Sequence, residues 1–230
     1  MARILLVETS TAQLSAAVAE NGVVLTSRTS GEPRQQASLT APFVQEILQE
    51  KGWKVRDLDA VCVGKGPGSY TGLRVGVSTA KGLCFGAGIP LLAVGTLDTL
   101  VSEAHMLGVV PEGCRYIVPM IDARRMEVYA AVFSPEGRQL TETKPVIVEA
   151  GSFSDRLAEG PVLFIGDGAL KCRGILTSGN ARFAEAFPTA DAMAPLAEAA
   201  YQEKRFEDVA YFEPFYLKDF VATVSRKKLF

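Results

Sequence analysis

Three short segments of this chain gather residues able to do chemistry. The first, Glu8-Thr9-Ser10-Thr11, sets a carboxylate and three hydroxyls directly after the apolar run Ile4-Leu5-Leu6-Val7. Such an acid at a strand end can ligate a cation or simply finish the strand, and Glu8 reads as a polar strand end in preference to a metal ligand. The second is Gly64-Lys65-Gly66-Pro67-Gly68-Ser69-Tyr70-Thr71-Gly72-Leu73-Arg74, which follows the apolar run 58–63. Strand, glycine-rich turn and helix is the layout in which free backbone N–H groups at a helix N-terminus face an anion. The G-x-x-x-x-G-K-[ST] spacing is absent, however, and the same glycines also suit a tight strand-to-helix crossover. On the residues alone both readings stand. The third is Asp122, ending the run 117–121 ahead of Ala123-Arg124-Arg125-Met126. Arg74, Arg124 and Arg125 are candidate anion contacts or ordinary surface ion-pair residues.

Other chemistries are excluded by what the chain lacks. A single histidine, His105, cannot build a site that needs two imidazoles, so zinc hydrolysis is not expected. Cys62, Cys84, Cys114 and Cys172 lie far apart with no C-x-x-C pair and read as reduced core residues. With 24 Lys+Arg against 26 Asp+Glu, the net charge of -2 supplies no global field for a polyanion, so any nucleic-acid role is shared with a more basic partner. The apolar runs are too short for a membrane span or a signal segment, which places the chain in the cytosol as an expectation. A length of 230 residues with 48% hydrophobic and 22% charged side chains describes a soluble chain able to bury a core, in one or two domains.

The elements that position these segments follow from the hydrophobic pattern. Residues 4–7, 14–19 and 23–28 form three antiparallel strands, the last two joined by Asn21-Gly22, a pair that tolerates positive φ. Leu39, Phe43, Val44, Ile47 and Leu48 share one helix face. Pro42 predicts either a start near Ser38 or Thr40 as cap or a kink, and Lys51-Gly52 closes the helix. Residues 58–63 form a strand and 71–87 a helix. In that helix Gly72, Gly76 and Ala80 make one line of small residues and Gly82 and Gly86 a second. Each interior glycine costs about 1 kcal/mol of helix propensity, a loss that close backbone approach can recover. One line suits packing on the chain's own sheet, and the second hints at another neighbour.

A strand at 89–94 and a helix at 96–104 precede a Gly/Pro loop at 108–113, the predicted lobe boundary. Beyond it the plan repeats: strand, acid, turn, strand 127–133, the turn Pro135-Glu136-Gly137, and a strand from Arg138. The acid-to-glycine separation is 14 residues in one lobe (22 minus 8) and 15 in the other (137 minus 122). This weak duplication predicts two similar α/β lobes. Residues 1–107 form the first lobe, rejoined by a C-terminal helix within 195–230, and 108–194 the smaller second. A strand at 161–165 ends in Gly166-Asp167-Gly168-Ala169, and Arg226-Lys227-Lys228 makes a solvated basic tail.

The runs Ile4-Leu-Leu-Val-Glu-Thr-Ser10, Val63-Gly-Lys-Gly-Pro-Gly-Ser-Tyr-Thr-Gly-Leu-Arg-Val-Gly76, Ile121-Asp-Ala-Arg-Arg-Met-Glu-Val-Tyr129 and Pro214-Phe-Tyr-Leu-Lys218 resemble the TsaB (YeaZ) family. The resemblance implies an α/β, actin-like ATPase (ASKHA) fold: two ribonuclease-H-like lobes with mixed sheets flanked by helices. It implies a non-catalytic subunit of the bacterial complex that makes threonylcarbamoyladenosine in tRNA, next to the anticodon. The chain would dimerise with TsaD, which carries the transferase chemistry, act with the ATPase TsaE, form homodimers, and meet tRNA only through the complex. Where TsaD-like relatives hold metal on a histidine pair, this sequence has Arg34-Gln-Gln-Ala-Ser-Leu-Thr-Ala-Pro42. No metal and no cofactor of its own are therefore expected, with ATP/Mg and the metal on partner subunits. Glu8, Thr9, Ser10, Gly66, Gly68, Ser69 and Asp122 would be a vestigial nucleotide or phosphate site. Leu39, Phe43, Ile47, Gly72, Leu73, Gly76, Val77 and Ala80 would form the partner face, two helices meeting two. The rival readings are a stand-alone actin-like kinase or ATPase, a bare interaction module unrelated to tRNA, and a peptidase-like relative, which the single histidine disfavours.

Overall fold

The computed structural model describes residues 2–32 and 34–218. Its first sheet takes β1 (Arg3–Glu8), β2 (Leu14–Glu20), β3 (Val23–Ser30), β4 (Ala60–Gly64) and β5 (Leu91–Val94) in the order β3-β2-β1-β4-β5. β1, β2 and β3 run antiparallel, while β4 and β5 join parallel. The hairpin turns where the sequence places it, with Asn21 at φ 51° and Gly22 at φ 75°. The second sheet takes β6 (Tyr116–Asp122), β7 (Glu127–Ala130), β8 (Lys144–Ile147), β9 (Val162–Ile165) and β10 (Ala181–Ala184) in the order β10-β9-β6-β7-β8. Strand for strand this is the first order again, with the same pattern of antiparallel and parallel pairs.

One detail of the repeat differs. The tight turn at Gly137 forms, with Ser134 N–H donating to the Arg138 carbonyl at 2.8 Å, but the third strand begins at Lys144 rather than Arg138. β7 already ends at Ala130, and Phe133 crosses back to bridge Ile117, so the turn lies on an excursion between strands.

Helices α1 (Gln36–Lys51) and α2 (Tyr70–Ala87) cover one face of the first sheet, burying Val44, Ile47, Val77, Ala80 and Cys84 with Leu5, Val7, Val61 and Val63. α1 starts at Gln36, and neither Ser38 nor Thr40 caps it; the Thr40 hydroxyl instead donates to the Gln36 carbonyl at 2.5 Å. Pro42 sits inside the helix, where the single backbone bond it forfeits, to the carbonyl of Ser38, lies on the exposed side. Gly52 ends α1 in the left-handed region, as predicted.

The opposite face of the first sheet is covered by α5 (Ala190–Gln202), whose Ala190, Met193, Ala194 and Ala197 pack on Ile4, Leu6 and Cys62. It starts at Ala190 rather than 195, capped by the Thr189 hydroxyl, which accepts from Ala192 N–H at 3.2 Å, and it holds Pro195 within. It ends at Gln202, so the predicted C-terminal helix covers only the first part of 195–230; residues 203–218 form no helix, and the basic tail lies outside the described residues. α3 (Thr96–Met106) follows β5 but buries Leu97, Leu100, Val101 and Ala104 against Ile117, Ile121, Phe133 and Leu163 of the second sheet. Each lobe thus sends the helix after its last strand onto the other lobe's sheet. The short α4 (Ser154–Ala158) flanks the second sheet through Leu157.

Candidate functional site

Glu8 ends β1 with a side chain 0% exposed, and Thr9, Ser10 and Thr11 are buried with it. Its Oε1 accepts from Ser10 N–H at 2.7 Å, while Oε2 has no partner among the described residues. Burial pushes its carboxyl above the usual range, and hydrogen bonds from Ser10 and Thr9 oppose that only in part. Glu8 is therefore not the solvated strand end that the sequence reading favours. A Cβ at Gly64 would come closer than 3.0 Å to both of its carboxyl oxygens, so a glycine there gives the carboxyl its room.

A carboxyl that is neutral when folded makes stability fall with pH, because between the unfolded and folded pKa values only the folded state holds the proton. The contribution is complete below the unfolded value near 4.5 and is lost as pH rises through the raised folded value. Half-buried Asp98 and Asp167 and buried Glu103 shift the same way. Glu8→Gln keeps the acceptor for Ser10 N–H without the titration. Its melting temperature relative to wild type is expected to rise from pH 5 to pH 8; a constant offset would contradict a raised Glu8 carboxyl.

The glycine-rich turn folds directly onto this loop. Ser69 caps α2, its hydroxyl accepting from Gly72 N–H, and its own N–H donates to the Ser10 carbonyl at 2.6 Å. A Cβ at Gly68 would overlap the Ser10 carbonyl oxygen, and one at Gly72 the Thr9 carbonyl oxygen. Thr9 Oγ1 donates to the Gly72 carbonyl at 2.8 Å. Gly66, at φ 103°, lies under Leu73 and the Phe215 carbonyl. As folded, the turn makes a tight crossover packed against the loop after β1. Glu8, Thr9, Ser10, Gly68 and Ser69 pack on one another, while Gly66 lies apart from them against Leu73 and Phe215.

Asp122 is exposed, held by an ion pair with Lys171 and by its N–H donating to Asp167 Oδ1 at 2.9 Å. Arg124 and Arg125 form the β6–β7 turn at φ 70° and 50°. Gln36 uses its Nε2 to donate to the Thr11 and Ala12 carbonyls at 2.8 and 3.2 Å, tying α1 to the Glu8 loop. Among the described residues no cluster of three or more His, Cys, Asp or Glu side chains is arranged to hold a metal. Cys62, Cys84 and Cys172 are buried free thiols and Cys114 is half-buried.

The residues of the predicted partner face lie mostly inside the isolated chain. Gly72, Leu73, Gly76, Val77 and Ala80 are all buried within the chain, as is Ile47, while Leu39 and Phe43 are half-buried. Gly72 and Gly76 serve the approach of α2 to Thr9. Solvent meets the other side of α2: Arg74, Ser78, Gly82, Phe85 and Gly86, with Phe85 86% exposed. No spacing signal marked Phe85, because a single aromatic on a helix reads as core.

A family model described as TsaD, tRNA N6-adenosine threonylcarbamoyltransferase, matches residues 32–225. The TsaB protein of Escherichia coli K12, named for tRNA threonylcarbamoyladenosine biosynthesis, is 31% identical over 231 residues, covering 96% of each chain. A crystal structure from Pseudomonas aeruginosa, of an uncharacterized protein with similarity to peptidase YEAZ, superposes with a TM-score of 0.82 at 27% identity over 95% of this chain and 100% of that one. The activator of 2-hydroxyisocaproyl-CoA dehydratase from Clostridium difficile, at 10% identity, covers 88% of this chain and 96% of its own with a TM-score of 0.51, which speaks for the fold alone. The doubled sheet order is accordingly that of the actin-like ATPase fold, and the chain belongs to the TsaB family.

Proposed function

We propose that this chain serves tRNA threonylcarbamoyladenosine biosynthesis as a non-catalytic subunit, pairing with TsaD through the outer faces of α1 and α2 and working with TsaE. The observation that carries this reading is the outer face of α2. There Phe85 projects 86% exposed from a helix whose Gly82 and Gly86 leave open space beside it. A large apolar side chain with small neighbours is what a facing helix can cover. The half-buried Leu39 and Phe43 lie on α1, which packs beside α2. The same face would join two copies of this chain in a homodimer.

The absence of catalysis in this reading rests on the closed Glu8 loop, so no cofactor is assigned to the chain, and ATP/Mg and metal belong to partner subunits. tRNA meets the chain only through the complex. No helix among the described residues is long and apolar enough to cross a membrane, in keeping with a proposed cytoplasmic site of action. Reconstitution with TsaD, TsaE, tRNA and the threonylcarbamoyl adenylate tests the proposal. Omitting this chain is expected to remove most product, and omitting TsaD all of it. Product formed by this chain without TsaD would overturn the non-catalytic reading. Micromolar ATP binding by the isolated chain would favour the rival kinase or ATPase.

A further inference from the structure

Where the two lobes meet the C-terminal segment lies a cavity of about 420 Å³ that takes no part in the outer face of α1 and α2. Lys65 enters it from the end of β4, Asp98 from the first turn of α3, and Glu142 from the link between β7 and β8 of the second lobe. Phe215 reaches over it from the C-terminal segment, fixed by its N–H donating to the Lys65 carbonyl at 2.7 Å. Leu97 and Pro67 complete an apolar side. The volume lies within the ordinary range for small-molecule sites, and junctions between domains are where such sites concentrate.

The charges are what select the ligand. Burial pushes the Asp98 carboxyl up, and the hydrogen bond from its own backbone N–H, then the ammonium of Lys65 and the guanidinium of Arg205, draw it down in part. Yet among the described residues neither Lys65 nor Asp98 takes part in an ion pair. Arg205 is itself paired with Glu203. A simple anion placed in the cavity would meet Asp98 and Glu142, and a simple cation would meet Lys65. A molecule carrying both charges a few ångströms apart satisfies both rims, with charge-assisted hydrogen bonds at each end. Phe215 and Leu97 then offer an apolar surface to whatever that molecule carries between or beside its charges.

We propose that this inter-lobe cavity binds a free α-amino acid, its carboxylate toward Lys65 and its ammonium toward Asp98 and Glu142. The site does not depend on the pairing with TsaD and is read on the isolated full-length chain. The experiment is saturation-transfer NMR with each of the common L-α-amino acids at millimolar concentration. It is repeated with the N-acetyl and the carboxamide derivative of any binder, and with Lys65→Met and Asp98→Asn. At least one amino acid is expected to bind. Loss of either charge, on the ligand or on the protein, should weaken binding about tenfold or more. Silence from every amino acid would overturn the proposal, as would binding indifferent to N-acetylation and amidation. The derivative series decides the matter even if a substituted chain fails to fold.

Discussion

Replacing Gly72 by alanine is expected to destabilise the isolated chain by about 3 kcal/mol or more, whereas the same change at Gly82, ten residues along the same helix, stabilises it. A Cβ at Gly72 meets the carbonyl oxygen of Thr9, a backbone atom in the buried loop after β1 that no rotamer change can move aside. Relieving the overlap means lifting α2 off the loop after β1, which strains the Thr9 hydroxyl's bond to the Gly72 carbonyl and the Ser69 bond to Ser10. A chain of this size loses about 2–4 °C of melting temperature per kcal/mol, so a fall of about 6–12 °C follows. At Gly82 a Cβ meets nothing within 4 Å, and the ordinary helix advantage of alanine over glycine, about 0.5–1 kcal/mol, is gained. Thermal melts at low protein concentration, where pairing makes no contribution, read both. Equal effects at the two sites would mean that the inward approach of the Gly72 line is wrong.

The second large effect falls on association. Phe85→Lys is expected to weaken pairing with TsaD, and with a second copy of this chain, by about a hundredfold or more while leaving the fold intact. Phe85 makes little contact within its own chain, and a cation in the last turn of α2 suits the negative end of the helix. Ile147→Lys, at a residue 67% exposed on β8 of the other lobe, is the control and should leave both associations unchanged. Sedimentation of the mixed proteins measures the two together. An unchanged complex with Phe85→Lys would remove the outer face of α2 from the partnership. Gly76→Leu is no substitute test, because a side chain there strikes Thr9 Oγ1 and damages the lobe itself.

Much of the fold is legible in the order of the residues. The alternation of apolar runs with Asn21-Gly22, the glycine-rich crossover and Gly52 places the first lobe's elements within a few residues, because those signals are local: turn residues with positive φ and faces with helical or strand period. The doubled plan is visible in the spacing of Glu8 and Asp122 from their turns, although Gly137 marks an excursion and not the link to the third strand. The return of a C-terminal helix to the first lobe is part of the sequence reading, but the crossing of α3 onto the second lobe is not legible. An amphipathic helix states that one face is buried but not which sheet buries it.

The candidate site divides in the same way. The sequence by itself determined that α2 carries two lines of small residues, while the grouping of Glu8, Thr9 and Ser10 with the glycine turn came from the family resemblance. Only the tertiary structure decided that the Gly72 line is spent on Thr9 while the Gly82 line looks outward, that Glu8 is sealed from solvent with its carboxyl pushed above the usual range, and that Lys65 and Asp98 share a cavity. The reason is physical: side-chain type and spacing fix a residue's local geometry, but whether a glycine gap is filled from within or left open depends on segments far away in sequence, and so does whether a carboxyl keeps its water. Their positions exist only once the chain has packed.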